Sequence, residues 1–119
     1  MDGKVIAITG GASGIGRATA KILASRGARL SIADLNATTL NQLSSEFSSQ
    51  HPDFLYTQLD ITKRTDVDDW IKKTVDHFGG LDGAANCAGV TGRTNDWMPL
   101  TEVDDAHWDI TIGVNLTGM

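Results

Sequence analysis

The chain has 119 residues, 40% of them apolar, and a formal net charge of −5. That length suits one modest domain over residues 1–119 with a real core, but is short for a complete nucleotide-dependent enzyme. The acidic balance and scattered Lys and Arg exclude nucleic acid, which calls for a clustered basic face, and no apolar run approaches the ~20 residues of a membrane span.

Val5-Ile6-Ala7-Ile8 predicts a first strand over residues 4–9. A glycine-rich turn follows, Thr9-Gly10-Gly11-Ala12-Ser13-Gly14-Ile15-Gly16, and opens a helix over about 14–26 that Gly27 ends. A second strand covers 28–33. The next helix, about 37–49, carries Leu40, Leu43 and Phe47 on one face and is broken by His51-Pro52-Asp53. A third strand runs over 54–59. The third helix has the clearest pattern: Val67, Trp70, Ile71, Thr74, Val75 and Phe78 recur at helical spacing, and Thr65 with Asp68 resembles a capping box. Gly79-Gly80 closes it before a fourth strand over 81–86. Residues 88–99 read as a loop, Thr101 to Asp104 as another cap, and a fourth helix carries Trp108, Ile112 and Leu116 along one side. Trp70 and Trp108 are expected as core anchors, and packing is the expected fate of Trp97 in the loop.

Strand and helix alternate throughout, the signature of a parallel α/β sheet. Right-handed crossovers order the strands 3-2-1-4, a Rossmann-type doubly wound sheet that binds ligand beyond the strands' carboxyl ends. Strand four is then an uncovered edge. The sheet reads as incomplete, the first half of a larger one, and its open edge predicts a homo-oligomer.

Strand, glycine turn and helix is the arrangement that holds a dinucleotide diphosphate. Glycine lets the backbone turn tightly and approach the ligand, and the helix offers unpaired N–H groups and the positive end of its dipole. Asp34 lies 18 positions after Gly16, where such a unit puts the acid that binds the adenosine ribose. Its carboxylate would repel a 2′-phosphate, and neither Leu35 nor Asn36 supplies a cation, so NAD is expected over NADP. The competing role is capping the second helix, which Asn36 can also fill. Arg17, at the helix start, is either a phosphate contact or simply solvated. Asp60-Ile61 ends the third strand at the same edge, with adenine binding and capping evenly matched. Asn86-Cys87-Ala88-Gly89 ends the fourth, its small residues admitting the cofactor. Cys87, the single cysteine, excludes an internal disulfide and fits a reducing, cytoplasmic setting. It has no basic neighbour to lower its pKa and is expected to be packed rather than reactive. Asn115 is an amide on an apolar-faced helix, a satisfied core group or a functional one. His51, His77 and His107 lack metal-ligand spacing and read as surface residues.

Taken together, these motifs resemble the short-chain dehydrogenase/reductase family, its classical group. Residues 9–16 are similar to its TGxxxGIG cofactor turn. Asp60 matches its adenine-contacting acid, residues 86–89 its NNAG strand with Cys87 in place of the second asparagine, and Val114-Asn115-Leu116-Thr117-Gly118 its VNLxG segment. The resemblance implies cofactor contacts from Thr9, Gly10, Ser13, Gly14, Ile15, Gly16, Asp34, Asp60, Ile61, Asn86, Ala88 and Gly89. It makes Asn115 the catalytic asparagine, which holds a water in a proton relay.

The family also implies a Ser, and a Tyr and Lys four apart, downstream of the asparagine. The single tyrosine here is Tyr56, in strand three, and four positions on stands Asp60. Hydride transfer to or from a carbinol needs a group that exchanges the hydroxyl proton. The leading expectation is therefore the cofactor-binding half of an NAD-dependent alcohol/ketone oxidoreductase, inactive by itself, acting on a small-molecule substrate without nucleic acid or membrane. The alternative is a naturally short homologue serving as a non-oxidative nucleotide-binding or partner-binding module, or an isomerase-like protein.

Overall fold

The computed structural model describes residues 1–51, 53–92 and 99–119. Four strands, β1 (Val5–Thr9), β2 (Arg29–Asp34), β3 (Leu55–Gln58) and β4 (Gly83–Asn86), form one parallel sheet in the expected order β3-β2-β1-β4. Between them run α1 (Gly14–Ser25), α2 (Ala37–Phe47) and α3 (Arg64–Phe78); α4 (Asp105–Ile112) follows and passes into a π-helical turn, Gly113–Thr117. β1, α1, α2, β3 and β4 are each a residue or two shorter at an end than the periodicity predicts, while β2 is shifted one residue on and α3 begins earlier, at Arg64.

Side chains alternate across the sheet with period two, so each face has its own core. On one, Ile6, Ile8, Leu30 and Ile32 meet Ala20 and Ala24 of α1 and Leu40, Leu43 and Phe47 of α2. On the other, Ala7 and Ala33 are small, and the wide indole of Trp70 from α3 fills the space above them with Leu59. Each fully buried branched side chain contributes about 1.5–3 kcal/mol. One polar chain crosses the second layer. Trp70 Nε1 donates to Ser31 Oγ at 2.8 Å, and Thr74 Oγ1 donates to the Trp70 carbonyl at 2.9 Å. Thr74 has no further proton, so the 2.7 Å contact between the hydroxyls is Ser31 donating to Thr74.

Several expectations are corrected. The Thr65–Asp68 box does not form: Lys63 is the N-cap residue, without a side-chain bond, and Asp68 pairs with Arg64 instead. Asp60 starts this turn, because its carboxylate takes the Thr62 N–H at 3.0 Å and hydroxyl at 2.7 Å. Thr101 lies in a 3₁₀ turn, Leu100–Glu102, and Asp104 itself caps α4 by accepting from the His107 N–H. Trp108 is no core anchor. It is 64% exposed, Leu116 is 68% exposed, and α4 has no buried residue, so the predicted apolar stripe faces outward. In α3, Trp70, Thr74 and Phe78 are buried, whereas Val75 is exposed. Trp97 lies outside the described residues.

A candidate dinucleotide cleft

The strand order reverses between β1 and β4, and a cleft of about 490 Å³ opens there at the carboxyl ends of the strands. Its floor is the glycine turn. Gly10 has a φ of +61°, and a Cβ there would sit 2.7 Å from Ala88 Cα, so β1 and β4 end in close backbone contact. A Cβ at Gly16 would overlap the Gly10 carbonyl. Glycine at 10 and 16 thus lets α1 begin directly over the turn. Ser13 is the N-cap of α1, yet its side chain makes no capping bond, and no acidic residue occupies the first turn. The first N–H groups of the helix, beyond reach of any carbonyl of their own helix, are therefore left for an anion.

Asp34, at the end of β2, does not cap α2. Asn36 does, accepting from the Thr38 and Thr39 N–H groups. Asp34 instead accepts the Ala12 N–H at 2.9 Å on Oδ2 and the Asn36 N–H at 3.0 Å on Oδ1. Two backbone donors hold the carboxylate against the turn, and lone pairs remain on both oxygens. Arg17 is tied to Glu46 of α2 at 2.7 Å, with Lys21 on the other Glu46 oxygen, and does not line the cleft. Those two cations hold the Glu46 carboxyl below its ordinary value, the Lys21 hydrogen bond first. Asp60 also lines the cleft, and the Thr62 hydroxyl and N–H hold its carboxyl low.

Of the expected cofactor residues, Gly10, Ser13, Gly14, Ile15, Asp34, Asp60, Ile61, Ala88 and Gly89 come together as the cleft lining. Thr9, Gly16 and Asn86 are not part of the lining. Thr9 takes the Ala88 N–H on its hydroxyl at 3.3 Å, and Asn86 pairs in register with Thr9. Ala33, Leu35, Leu59, Cys87, Val90 and Val114 also line the cleft. The signal for most of them was position: each ends a strand or follows directly. Val114 had no such signal. Cys87 is half-buried at this edge, more open than the packed residue expected.

Asn115 is not a core amide. It is exposed, on the π-helical turn, and lines a second, more open cleft of about 560 Å³ with Ala88 to Gly92 and Met119. Ala88, Gly89 and Val90 border both clefts. The Asn115 amide grips Val90 on both sides: Oδ1 takes the Val90 N–H at 2.9 Å and Nδ2 donates to its carbonyl at 2.8 Å. One amide hydrogen and one Oδ1 lone pair are left over. The histidines are not all bland. His51 stacks on Phe54, His77 Nε2 lies 3.2 Å from the Asp53 carbonyl, and His107 is largely buried on Asp104. Among the described residues no cluster of three metal-ligating side chains occurs and no helix is long and apolar enough to cross a membrane.

Comparison with known proteins agrees with this geometry. The family described as short chain dehydrogenase matches residues 4–119. The short-chain dehydrogenase/reductase aba4 of Botryotinia fuckeliana is 50% identical over 116 residues, covering 97% of this chain and 45% of the relative. The chanoclavine-I dehydrogenase easD of Arthroderma benhamiae is 41% identical over 124 residues, covering all of this chain and 50% of the relative. A crystal structure of a 3-ketoacyl-(acyl-carrier-protein) reductase from Brucella melitensis, complexed with NADH, superposes with a TM-score of 0.88 at 31% identity, over 98% of this chain and 46% of that one. The chain spans about half the length of the curated relatives it matches.

Proposed function

The chain belongs to the short-chain dehydrogenase/reductase family, and from that premise we propose that it is the NAD-binding portion of an enzyme interconverting an alcohol and a ketone. The observation that carries this reading is the Asp34 carboxylate, fixed by the Ala12 and Asn36 N–H groups beside the unpaired start of α1. The diphosphate binds at Gly14 and Ile15, where helix N–H groups and dipole meet its charge. The ribose hydroxyls donate to the free lone pairs of Asp34, and a 2′-phosphate placed there meets like charge at contact distance. NADH is therefore preferred over NADPH.

Asp60 and Ile61 border the adenine end. The nicotinamide end runs past Ala88 to Val90, towards the second cleft. When bound, the dinucleotide supplies or accepts the hydride; this chain binds it, orients it and walls it from solvent. Asn115 keeps the β4 edge in place through Val90, and its remaining amide hydrogen and lone pair suit the water of a proton relay. We further place the protein in the cytoplasm, as a homo-oligomer acting on a small-molecule substrate without nucleic acid.

Fluorescence titration with NADH and NADPH tests the cofactor reading; tighter binding of NADPH by the unmodified chain would sink the role of Asp34. Reading the gene beyond the codon for Met119 tests the activity. A downstream Tyr-x-x-x-Lys supports the oxidoreductase, and a stop codon supports a non-oxidative nucleotide-binding module.

A further inference from the structure

We infer that His107 is a positioning residue for the wall between the two clefts, and through it for the nicotinamide end of the dinucleotide; this rests on the NAD-binding reading above. Asp104 Oδ1 takes both the His107 backbone N–H and ring Nδ1, each at 2.8 Å. A carboxylate at Nδ1 keeps a proton on that nitrogen and fixes the ring's orientation. Nε2 is buried and finds no hydrogen-bond partner among the described residues. The ring is thus held at one edge by the Asp104 carboxylate and buried at the other.

What that other edge meets is Gly92. A Cβ built there would lie 3.3 Å from His107 Cδ2 and 3.7 Å from Thr111 Oγ1. Gly92 has a φ of +108°, a backbone that side chains resist, so both its shape and its conformation are suited to the ring. Thr111 donates to the His107 carbonyl at 2.7 Å and steadies the same turn of α4. Gly92 lines the second cleft, and two positions earlier Val90 is gripped by Asn115. The segment from Val90 to Gly92 is therefore pinned at both ends by one helical element, by an amide at the first residue and by an imidazole edge at the last. A smaller side chain at 107 frees the Gly92 end, and a larger one at 92 pushes it off the ring.

Calorimetric titration of the chain with NADH and with ADP-ribose, which lacks only the nicotinamide, tests this for His107→Ala, Gly92→Ala and the double variant. Asp104 still caps α4 through the backbone N–H of residue 107, and circular dichroism checks that each variant folds. The expected result is NADH affinity about fivefold lower in each single variant, ADP-ribose affinity unchanged, and a double variant that loses less than the product of the two. Equal losses for both ligands, no loss for NADH, or strictly multiplicative effects would overturn the inference. Should His107→Ala fail to fold, Gly92→Ala alone decides by the same split between ligands. If the unmodified chain binds neither ligand, the NAD-binding reading falls first and this inference with it.

Discussion

Asp34 has more to do than a ribose contact requires. Its two oxygens close the glycine turn onto β2 through Ala12 and open α2 through Asn36. Asp34→Asn removes the charge and one acceptor while keeping the volume. It is expected to weaken NADH binding by about tenfold to a hundredfold, the range of a hydrogen bond to a charged group, and to narrow the gap to NADPH. Tyr56 is the opposite case, a polar group the fold leaves unserved. Its hydroxyl is buried without a partner among the described residues, and burial raises its pKa from 10.0 to about 12. The folded state holds this proton more tightly than the unfolded one. Its contribution is thus complete below pH 10 and lost as pH climbs towards 12. Tyr56→Phe deletes the orphan hydroxyl, so stability at neutral pH should rise by about 1 kcal/mol. Urea midpoints measured across the alkaline range should fall less for the variant than for the unmodified chain; parallel curves would contradict this account.

At the scale of elements, α3 is seated by one hydrogen-bonded chain as much as by apolar area. Trp70→Phe leaves Ser31 without its donor, and Ser31→Ala leaves the indole N–H unpaired in the core. Each should destabilise by about 1–3 kcal/mol in urea unfolding. The double variant should lose less than the sum, because both changes break the same bond. The strands and the face of α2 were legible in the sequence, since apolar runs such as Val5 to Ile8 mark the strands and Leu40, Leu43 and Phe47 recur at helical spacing, whereas in α3 the stripe held for Trp70 and Phe78 but not for Val75. Capping was less so. Thr65 and Asp68 have the spacing of a box, but Asp60 with Thr62 starts the turn earlier and takes the helix N-terminus back to Arg64. Nor does helical spacing say what covers a face, which is why Trp108 reads as core and stands in solvent. In the site, the glycine turn and Asp34 declare themselves by spacing. The grip of Asn115 on Val90 and the seat of His107 on Gly92 join residues 25 and 15 positions apart, and no local pattern encodes them.

On the scale of the whole molecule, the chain is more extended than its length demands. The radius of gyration is 15.4 Å, against about 13.5 Å for a compact chain of this size. Within the described residues β4 pairs only with β1, and Ala84 and Asn86 along it are exposed. Edge strands of this kind recruit other strands unless a charge blocks them. Light scattering should therefore find the chain's mass rising with concentration, and Ala84→Lys should suppress the rise. A mass that stays monomeric at every concentration would refute an edge-mediated oligomer.

We propose a division of labour at the carboxyl ends of the strands, with helix amides for the diphosphate and a fixed carboxylate for the sugar. Titrating NADH into the isotope-labelled chain and following backbone amide resonances tests it most directly. The largest shifts should fall at Ala12, Gly14, Ile15 and Leu35, with smaller ones from Ala88 to Val90. Shifts centred on the outer face of α3, or none at all in folded protein, would contradict it.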